Sequence, residues 1–145
     1  MLKVPKIYDL LNFSNLDIHA EDNDGNTPLD SAIDMEIIKY LMEQGANNSS
    51  KALLSASEQG QLEAIQYLIE NNSDIEIKNE KGQTPLILLS MRTSWMMDQL
   101  AAVTYLVEQN ADIQAKDNEG KSALDWAKEN RREDVEKYLA SKSVA

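Results

Sequence analysis

The sequence contains no cysteine and a single histidine, and it has no apolar run approaching the ~18 residues that a membrane-spanning helix needs. Without cysteine the chain has no disulfide, no thiolate metal site and no cysteine nucleophile. His19 would have to serve any Ser-His-Asp triad, and no G-x-S-x-G nucleophile elbow accompanies it. These absences predict a protein that is not an enzyme and that uses no metal or cofactor.

Basic residues are scarce relative to acidic ones. Lys and Arg number 14 against 25 Asp and Glu, which gives a formal net charge of −11. Such a charge repels nucleic acid and anionic lipid at long range and attracts basic proteins, although it also serves simply to keep a small protein soluble. We therefore expect a basic protein partner, with no nucleic acid and no membrane. The N-terminal stretch is broken by Lys6 and Asp9, so no signal peptide and a cytoplasmic location are expected.

An apolar triple with the spacing i, i+3, i+4, which forms one face of a helix, recurs along the chain. The copies are Ile7/Leu10/Leu11, Ile37/Tyr40/Leu41, Ile65/Leu68/Ile69, Val103/Leu106/Val107 and Val135/Tyr138/Leu139. Successive copies are 30, 28, 38 and 32 residues apart. This near-regular spacing indicates an array of internal repeats.

A second motif lies between the triples and combines a turn with a helix start. It occurs at 24–32, 81–89 and 119–127, with a weaker copy at 51–56 that lacks the turn. Glycine supplies the positive φ of a tight turn, and the following Thr or Ser caps a helix. Pro28 and Pro85 fit the first helical position, where no N–H is needed. Asp30 and Asp125 stand three residues after the cap, as in a capping box.

These motifs resemble a known family. Thr27-Pro-Leu-Asp-Ser-Ala is similar to the T-P-L-H-x-A signature of ankyrin repeats, with Asp30 where His is usual. Asn110-Ala-Asp-Ile-Gln-Ala-Lys-Asp resembles the family's G-A-D-V-N-A-K-D finger, with Asn110 in the Gly position. The resemblance runs from about residue 7 to 140. It implies an all-α ankyrin-repeat solenoid of helix–turn–helix repeats with short β-finger turns, which binds other proteins.

The predicted organisation is a single domain, 1–145, that we expect to be monomeric when free. A half-repeat at 1–20, with a helix near 5–12, precedes repeats at about 21–46, 47–77, 78–115 and 116–141. Inner helices are predicted near 28–33, 51–58, 85–92 and 123–129, and outer helices near 35–43, 62–70, 98–108 and 133–141.

Three places depart from regular repeats. Between Ala32 and Ile37 the first repeat lacks about three residues of its helix–turn–helix. Asn47-Asn-Ser-Ser replaces a normal finger, and the turn Met91–Gln99 is longer than usual by about five residues. The insertion contains Trp95, Met96 and Met97, residue types that suit a contact surface. The alternative is that Trp95 packs over a neighbouring repeat as ordinary core.

A solenoid without catalytic groups offers its concave surface for binding. In the ankyrin family that surface is formed by the finger tips and the exposed side of the inner helices. The matching positions here are Asn23, Asp24, Asn26, Asp34, Glu58, Gln59, Glu80, Lys81, Gln83, Met91, Arg92, Trp95, Glu119, Lys121, Glu129 and Asn130. Each polar member is equally well explained as a solvated surface position, because fewer than roughly a third of interface residues matter energetically.

The leading functional hypothesis is an acidic inhibitor that binds and blocks a basic protein, such as an immunity protein against a nuclease-type toxin. Carboxylates on the concave face would stand in for phosphates and speed association. Two other functions fit the sequence, namely a general scaffold or adaptor and an accessory subunit that modulates an enzyme in a complex. Acids gathered on the concave face favour the inhibitor, whereas an apolar patch around Trp95 and Met96 favours a permanent partner.

Overall fold

The computed structural model describes residues 17–32, 34–46, 50–93 and 98–143. Eight α-helices lie in these ranges: α1 (Pro28–Ser31), α2 (Met35–Glu43), α3 (Ser50–Gln59), α4 (Leu62–Glu70), α5 (Pro85–Met91), α6 (Asp98–Glu108), α7 (Ala123–Glu129) and α8 (Glu133–Ser143). Each odd-numbered helix packs on the even-numbered helix that follows it and on the next odd-numbered helix. The even-numbered helices pack on one another in the same order, so the helix pairs stack into a solenoid with an inner and an outer layer.

The core lies between the two layers. Leu29, Leu53 and Leu86 fill it from the inner helices, and each is no more than 1% exposed. Each outer helix presents part of its apolar triple to the same core, through Leu41, Ile65 and Leu68, Val103 and Leu106, and Val135 and Leu139. The apolar residues that recur with the 3.6-residue period of a helix thus include those whose side chains are buried in the core.

The inner helices begin as their sequence motif predicts. Thr27 caps α1 and Ser122 caps α7, and each forms a capping box with the aspartate three residues later. Thr84 caps α5, accepting a hydrogen bond from the backbone N–H of Ile87. A cap of this kind stabilises a helix by about 1 kcal/mol, which matters for helices as short as these.

The predicted fold class is confirmed, and the eight helices lie within two residues of their predicted bounds. The helix expected near 5–12, the shortened finger at 47–49 and Trp95, Met96 and Met97 lie outside the described residues. The one β-bridge among the described residues joins Lys116 and Ser122 across a finger. None of the described helices is both long enough and apolar enough to cross a membrane.

Candidate protein-binding surface

Three turns that precede inner helices are built alike, and we call them the first (residues 17–27), third (74–84) and fourth (112–122) fingers. Asp22, Asn79 and Asp117 hold corresponding positions, three residues before the turn glycine. In each, the side-chain Oδ1 accepts hydrogen bonds from the backbone N–H groups two and four residues later, at 2.9–3.0 Å. These bonds close the tips and fix the path of the backbone there.

The third and fourth fingers are joined to each other. The backbone N–H of Asn118 donates to the carbonyl of Lys81 at 3.0 Å, and Asn118 Nδ2 donates to the carbonyl of Glu80 at 3.0 Å. The N–H of Asp112 donates to Glu76 Oε1 at 2.7 Å. Gly82 permits this approach, since a Cβ there would lie 2.5 Å from Asn118 Oδ1. The two fingers therefore present one continuous edge.

The first finger is strongly acidic. Asp17, Glu21, Asp22 and Asp24 are all exposed, and residues 17–27 contain no Lys or Arg. Lys51 reaches the finger from α3, where its Nζ donates to the carbonyl of Gly25 at 2.8 Å. Hydrogen bonds from the backbone of Asn26, and then of Asp24, hold the pKa of Asp22 below its ordinary value. The finger is thus a negatively charged tip at neutral pH.

The third and fourth fingers carry mixed charge, with Glu80 beside Lys81 and Glu119 close to Lys121. Lys121 Nζ lies 2.7 Å from Glu129 Oε2 and 3.4 Å from Glu119 Oε2. The hydrogen bond to Glu129, and then that to Glu119, raises the pKa of Lys121. Among the three described fingers, the first therefore carries the largest net negative charge.

Trp126 lies in the angle between the fourth finger and α7. Its indole N–H donates to Asp117 Oδ2 at 2.7 Å, and the ammonium of Lys121 lies 4.2 Å from the ring centroid. Burial alone would raise the pKa of Asp117, but hydrogen bonds from Lys121, Trp126 and Glu119 outweigh it, and the pKa is lowered. The charged carboxylate consequently keeps both the finger tip and the indole ring in place.

The C-terminal end of α5 is held from the next repeat. Arg132 donates to the carbonyl of Arg92 at 2.6 Å and to Gln99 Oε1, while Gln99 Nε2 donates to the carbonyl of Leu89 at 3.2 Å. Asn130 Nδ2 donates to the carbonyl of Met91 at 2.8 Å. The carbonyls that a helix end leaves unpaired are thereby satisfied, and both ends of the lengthened turn are anchored.

A cavity of ≈ 390 Å³ opens beside this anchored turn. The described residues that line it are Glu58 of α3 together with Leu88, Met91, Arg92 and Thr93. It combines an apolar floor with one acidic and one basic rim residue, a composition that suits a protruding side chain of a partner. Nowhere in the described ranges do three or more His, Cys, Asp or Glu side chains converge to hold a metal ion.

Most of the predicted contact residues lie at the surface. Those that are exposed are Asn23, Asp24, Asp34, Glu58, Gln59, Glu80, Lys81, Glu119 and Glu129, and those that are half-buried are Asn26, Met91, Arg92, Lys121 and Asn130. Gln83 is the correction: it is only 5% exposed, because its side-chain carbonyl turns back to accept a hydrogen bond from Asn79 Nδ2 at 3.0 Å. Trp95 lies outside the described residues, and partner contact by the whole set stays a prediction.

Two features of this surface were not predicted. The turn-closing role of Asp22, Asn79 and Asp117 has a readable signal, namely an Asp or Asn three residues before each turn glycine. Trp126 has a weaker one. It takes the position held by Ser31 in the first motif and by Leu88 in the third, so an aromatic residue there is not required by the repeat.

Comparisons with known proteins agree with this architecture. The family model for ankyrin repeats in three copies matches residues 53–145, and the model for a single ankyrin repeat matches residues 24–52. A putative ankyrin repeat protein of Acanthamoeba polyphaga mimivirus is 43% identical over 53 residues, which cover 34% of this chain and 41% of that protein. Ankyrin repeat domain-containing protein 63 of Homo sapiens is 32% identical over 94 residues, 56% of this chain and 24% of that protein. The chain spans less than half the length of these relatives.

Proposed function

Because the chain belongs to the ankyrin-repeat family, whose repeats form protein–protein interaction modules, we propose that it binds a basic protein through its finger tips and inner helices. The proposed consequence of binding is inhibition: the chain covers the functional surface of its partner. A protein that acts on nucleic acid is the natural target, since its phosphate-binding surface is basic and accepts carboxylates in place of phosphates.

The observation that carries this proposal is the first finger. Its acidic side chains stand on a tip whose backbone is closed by Asp22, so the backbone that carries them is ordered before a partner arrives. The turn's own hydrogen bonds use Asp22 and leave the carboxylates of Glu21 and Asp24 at the exposed rim. A rigid, charged projection of this kind accelerates encounter with an oppositely charged surface.

The test uses a double substitution at the tip, Glu21→Gln with Asp24→Asn, and a matched control on an outer helix, Glu63→Gln with Glu70→Gln. Both pairs remove the same charge from exposed positions, but only the first pair lies on the proposed binding face. The wild-type chain and both variants are used to capture proteins from the source cell, and captured proteins are identified by mass spectrometry. We expect a basic protein whose retention falls as salt rises from about 0.05 M to 0.5 M, and is lost with the tip variant alone.

Capture of acidic proteins only, or equal weakening by the tip and outer-helix pairs, would contradict the proposal. The inhibitory step is tested separately by saturating the captured protein with this chain and measuring the activity of that protein. An unchanged activity would support the alternative functions, a scaffold or adaptor or an accessory subunit. The cavity beside Met91 favours such longer-lived contacts, because its apolar floor rewards burial by a partner side chain.

A further inference from the structure

The side chain of Trp126 is held by a hydrogen bond to the fourth finger. Asp117, itself fixed by two backbone N–H groups of the fourth finger, accepts the indole hydrogen bond at 2.7 Å. Trp126 is half-buried, since it packs in part against the hydrophobic core and keeps the rest of its surface exposed. The hydrogen bond to Asp117 restrains the ring, and a tryptophan face is the most favourable aromatic partner for a cation.

A cation already occupies this face. Lys121 Nζ lies 4.2 Å from the ring centroid while it also contacts the carboxylates of Glu129 and Glu119, at 2.7 Å and 3.4 Å. The other two lysine–aromatic pairs in the described ranges, Lys39 with Tyr67 and Lys142 with Tyr138, are longer at 5.9 Å and 5.7 Å and lie on outer helices. The fourth finger thus combines an aromatic face and two carboxylates around one ammonium group.

The ammonium is open to water and replaceable. The Lys121 side chain is 29% exposed, and those of Glu119 and Glu129 are 64% and 52% exposed. Exposed ion pairs of this kind hold weakly, because solvent screens them and long side chains lose freedom in them. The positions corresponding to Lys121 in the first and third fingers are Asn26 and Gln83, so the lysine is not a requirement of the turn.

We propose that Trp126, Glu119 and Glu129 form a recognition site for a cationic side chain of the basic partner, and that Lys121 is its internal occupant in the free protein. This site rests on the proposed function and names the group it recognises. An arginine is the fitting ligand, since its planar guanidinium stacks on the indole and pairs in two-point fashion with a carboxylate. On binding, the guanidinium replaces the Lys121 ammonium, which turns outward into solvent.

The test is an NMR titration with a blocked arginine tripeptide, acetyl-Gly-Arg-Gly-amide, using Lys121→Met and a matched control, Lys81→Met. Each substitution removes one positive charge, Lys121 from the fourth finger and Lys81 from the neighbouring third finger. Only the substitution at Lys121 removes the ammonium group that lies over Trp126. The indole N–H resonance of Trp126, distinguished from that of Trp95 by a Trp95→Phe background, reports the contact. We expect Lys121→Met to bind the peptide about fivefold more tightly than wild type or Lys81→Met, with a shift confined to Trp126.

Equal affinities for the two methionine variants, or an unmoved Trp126 resonance, would overturn the site. A second probe, hexa-arginine, separates this outcome from failure of the proposed function. Hexa-arginine could bind in a salt-sensitive way that requires Glu21 and Asp24, yet leave the Trp126 resonance of Lys121→Met unchanged. That result would overturn the site and leave the basic-partner proposal standing. Absence of hexa-arginine binding to all of these proteins would count against both.

Discussion

Gly82 and Gly120 have nearly the same backbone conformation, with φ of +73° and +75°, but different surroundings. A Cβ at Gly82 would lie 2.5 Å from Asn118 Oδ1 and 3.0 Å from the backbone nitrogen of Asn118, whereas a Cβ at Gly120 would meet nothing within 4 Å. The pair therefore separates the cost of a left-handed backbone from the cost of a steric collision.

We expect Gly120→Ala to lower the free energy of unfolding by about 1–2 kcal/mol, the conformational cost alone. Gly82→Ala is expected to lose about 1–2 kcal/mol more, because Asn118 must move and give up hydrogen bonds to the third finger. Equilibrium urea unfolding measures both values. Equal losses in the two variants would mean that the close approach of the fingers does not stabilise the protein.

Asp117→Asn tests the charged group beneath Trp126. The amide oxygen can still accept the two backbone hydrogen bonds, as Asn79 does in the third finger, but the amide nitrogen would face the indole N–H. At pH 7 we expect a loss of about 1.5–3 kcal/mol, the range for a hydrogen bond to a charged acceptor, because Asp117 is buried at 7% exposure and the indole N–H loses its acceptor.

The same substitution has a predicted pH dependence. The folded-state pKa of Asp117 is depressed, so its stabilising contribution is present above the unfolded value near 3.8 and is lost as pH falls through the folded value. The stability difference between wild type and Asp117→Asn should narrow below about pH 4. Urea unfolding at a series of pH values checks this, and a difference that stays constant into acid would contradict it.

At this scale the sequence predicts only some of the residues whose role is local, because the turn-closing roles of Asp22, Asn79 and Asp117 were not predicted. The glycines, the capping residues and their aspartates were predicted because each acts within four residues of its own position. Trp126 was not singled out, since the contacts that define it come from Asp117 and Lys121 across a turn. The burial of Gln83 was also missed, although its partner Asn79 is only four residues away, because a finger residue in a polar motif is expected to face water.

The junction between α5, α6 and α8 is held together by the side chain of Arg132. Arg132 bonds the carbonyl of Arg92 and Gln99 Oε1, and thereby fixes both ends of the lengthened turn. Its neighbour Arg131 is exposed and has a positive φ of 56°. The two arginines are adjacent in sequence and differ in what they touch.

We expect Arg132→Ala to lower the free energy of unfolding by about 2–3 kcal/mol, because Oε1 of the buried Gln99 and the carbonyl of the half-buried Arg92 both lose this donor. Arg132→Lys should recover only part of this loss, since an ammonium lacks the fork geometry of guanidinium. Arg131→Ala is the control and should change stability by less than about 0.5 kcal/mol. Thermal or urea unfolding of the three variants distinguishes them, and similar losses for both alanine variants would refute the anchoring role.

Helix positions were predictable because period, cap and breaker signals agree along the chain. The copies of the turn motif gave the inner helices, and the apolar triples gave the outer ones. The hydrogen bonds that anchor the lengthened turn were not predictable. Its excess length was visible in the spacing, but its anchors come from Asn130 and Arg132, about 40 residues away.

Across the whole molecule, stability should vary with position in the stack. Helix α5 has inner neighbours on both sides, α3 and α7, and its residues from Pro85 to Ser90 are all buried. Helix α8 packs on α6 and α7 and buries only Val135 and Leu139. In a solenoid each repeat is stabilised by its neighbours, so interior helices open last.

Native-state hydrogen exchange should therefore show amides of α5, such as those of Leu88 and Leu89, exchanging at least about tenfold more slowly than those of α8. The slow group should report global unfolding and the fast group local opening. Equal protection of the two helices would indicate that the array unfolds as one unit. Either urea dependence or temperature dependence of the exchange rates identifies which opening is measured.

The overall charge and the solenoid were both evident from the sequence, but the exposure of the charged groups was not. Sequence spacing assigns acidic residues to the first finger and mixed charge to the third and fourth, and the folded chain shows that Asp17, Glu21, Asp22 and Asp24 are all exposed. Net charge is a sum over all residues and does not say where the charged groups lie on the molecule. The concave surface therefore has two chemically distinct regions, which a partner meets at opposite ends.

The hydrogen bonds that join the third and fourth fingers affect the conformational entropy that the chain loses when it binds a partner. Asn118 and Asp112 already hold these turns against their neighbours in the free protein, so a partner that docks there has little backbone freedom left to remove. Conformational entropy has been lost during folding and not during association. Complexes formed at this edge should dissociate slowly for the number of contacts they contain, with small changes in backbone position between the free and bound chains.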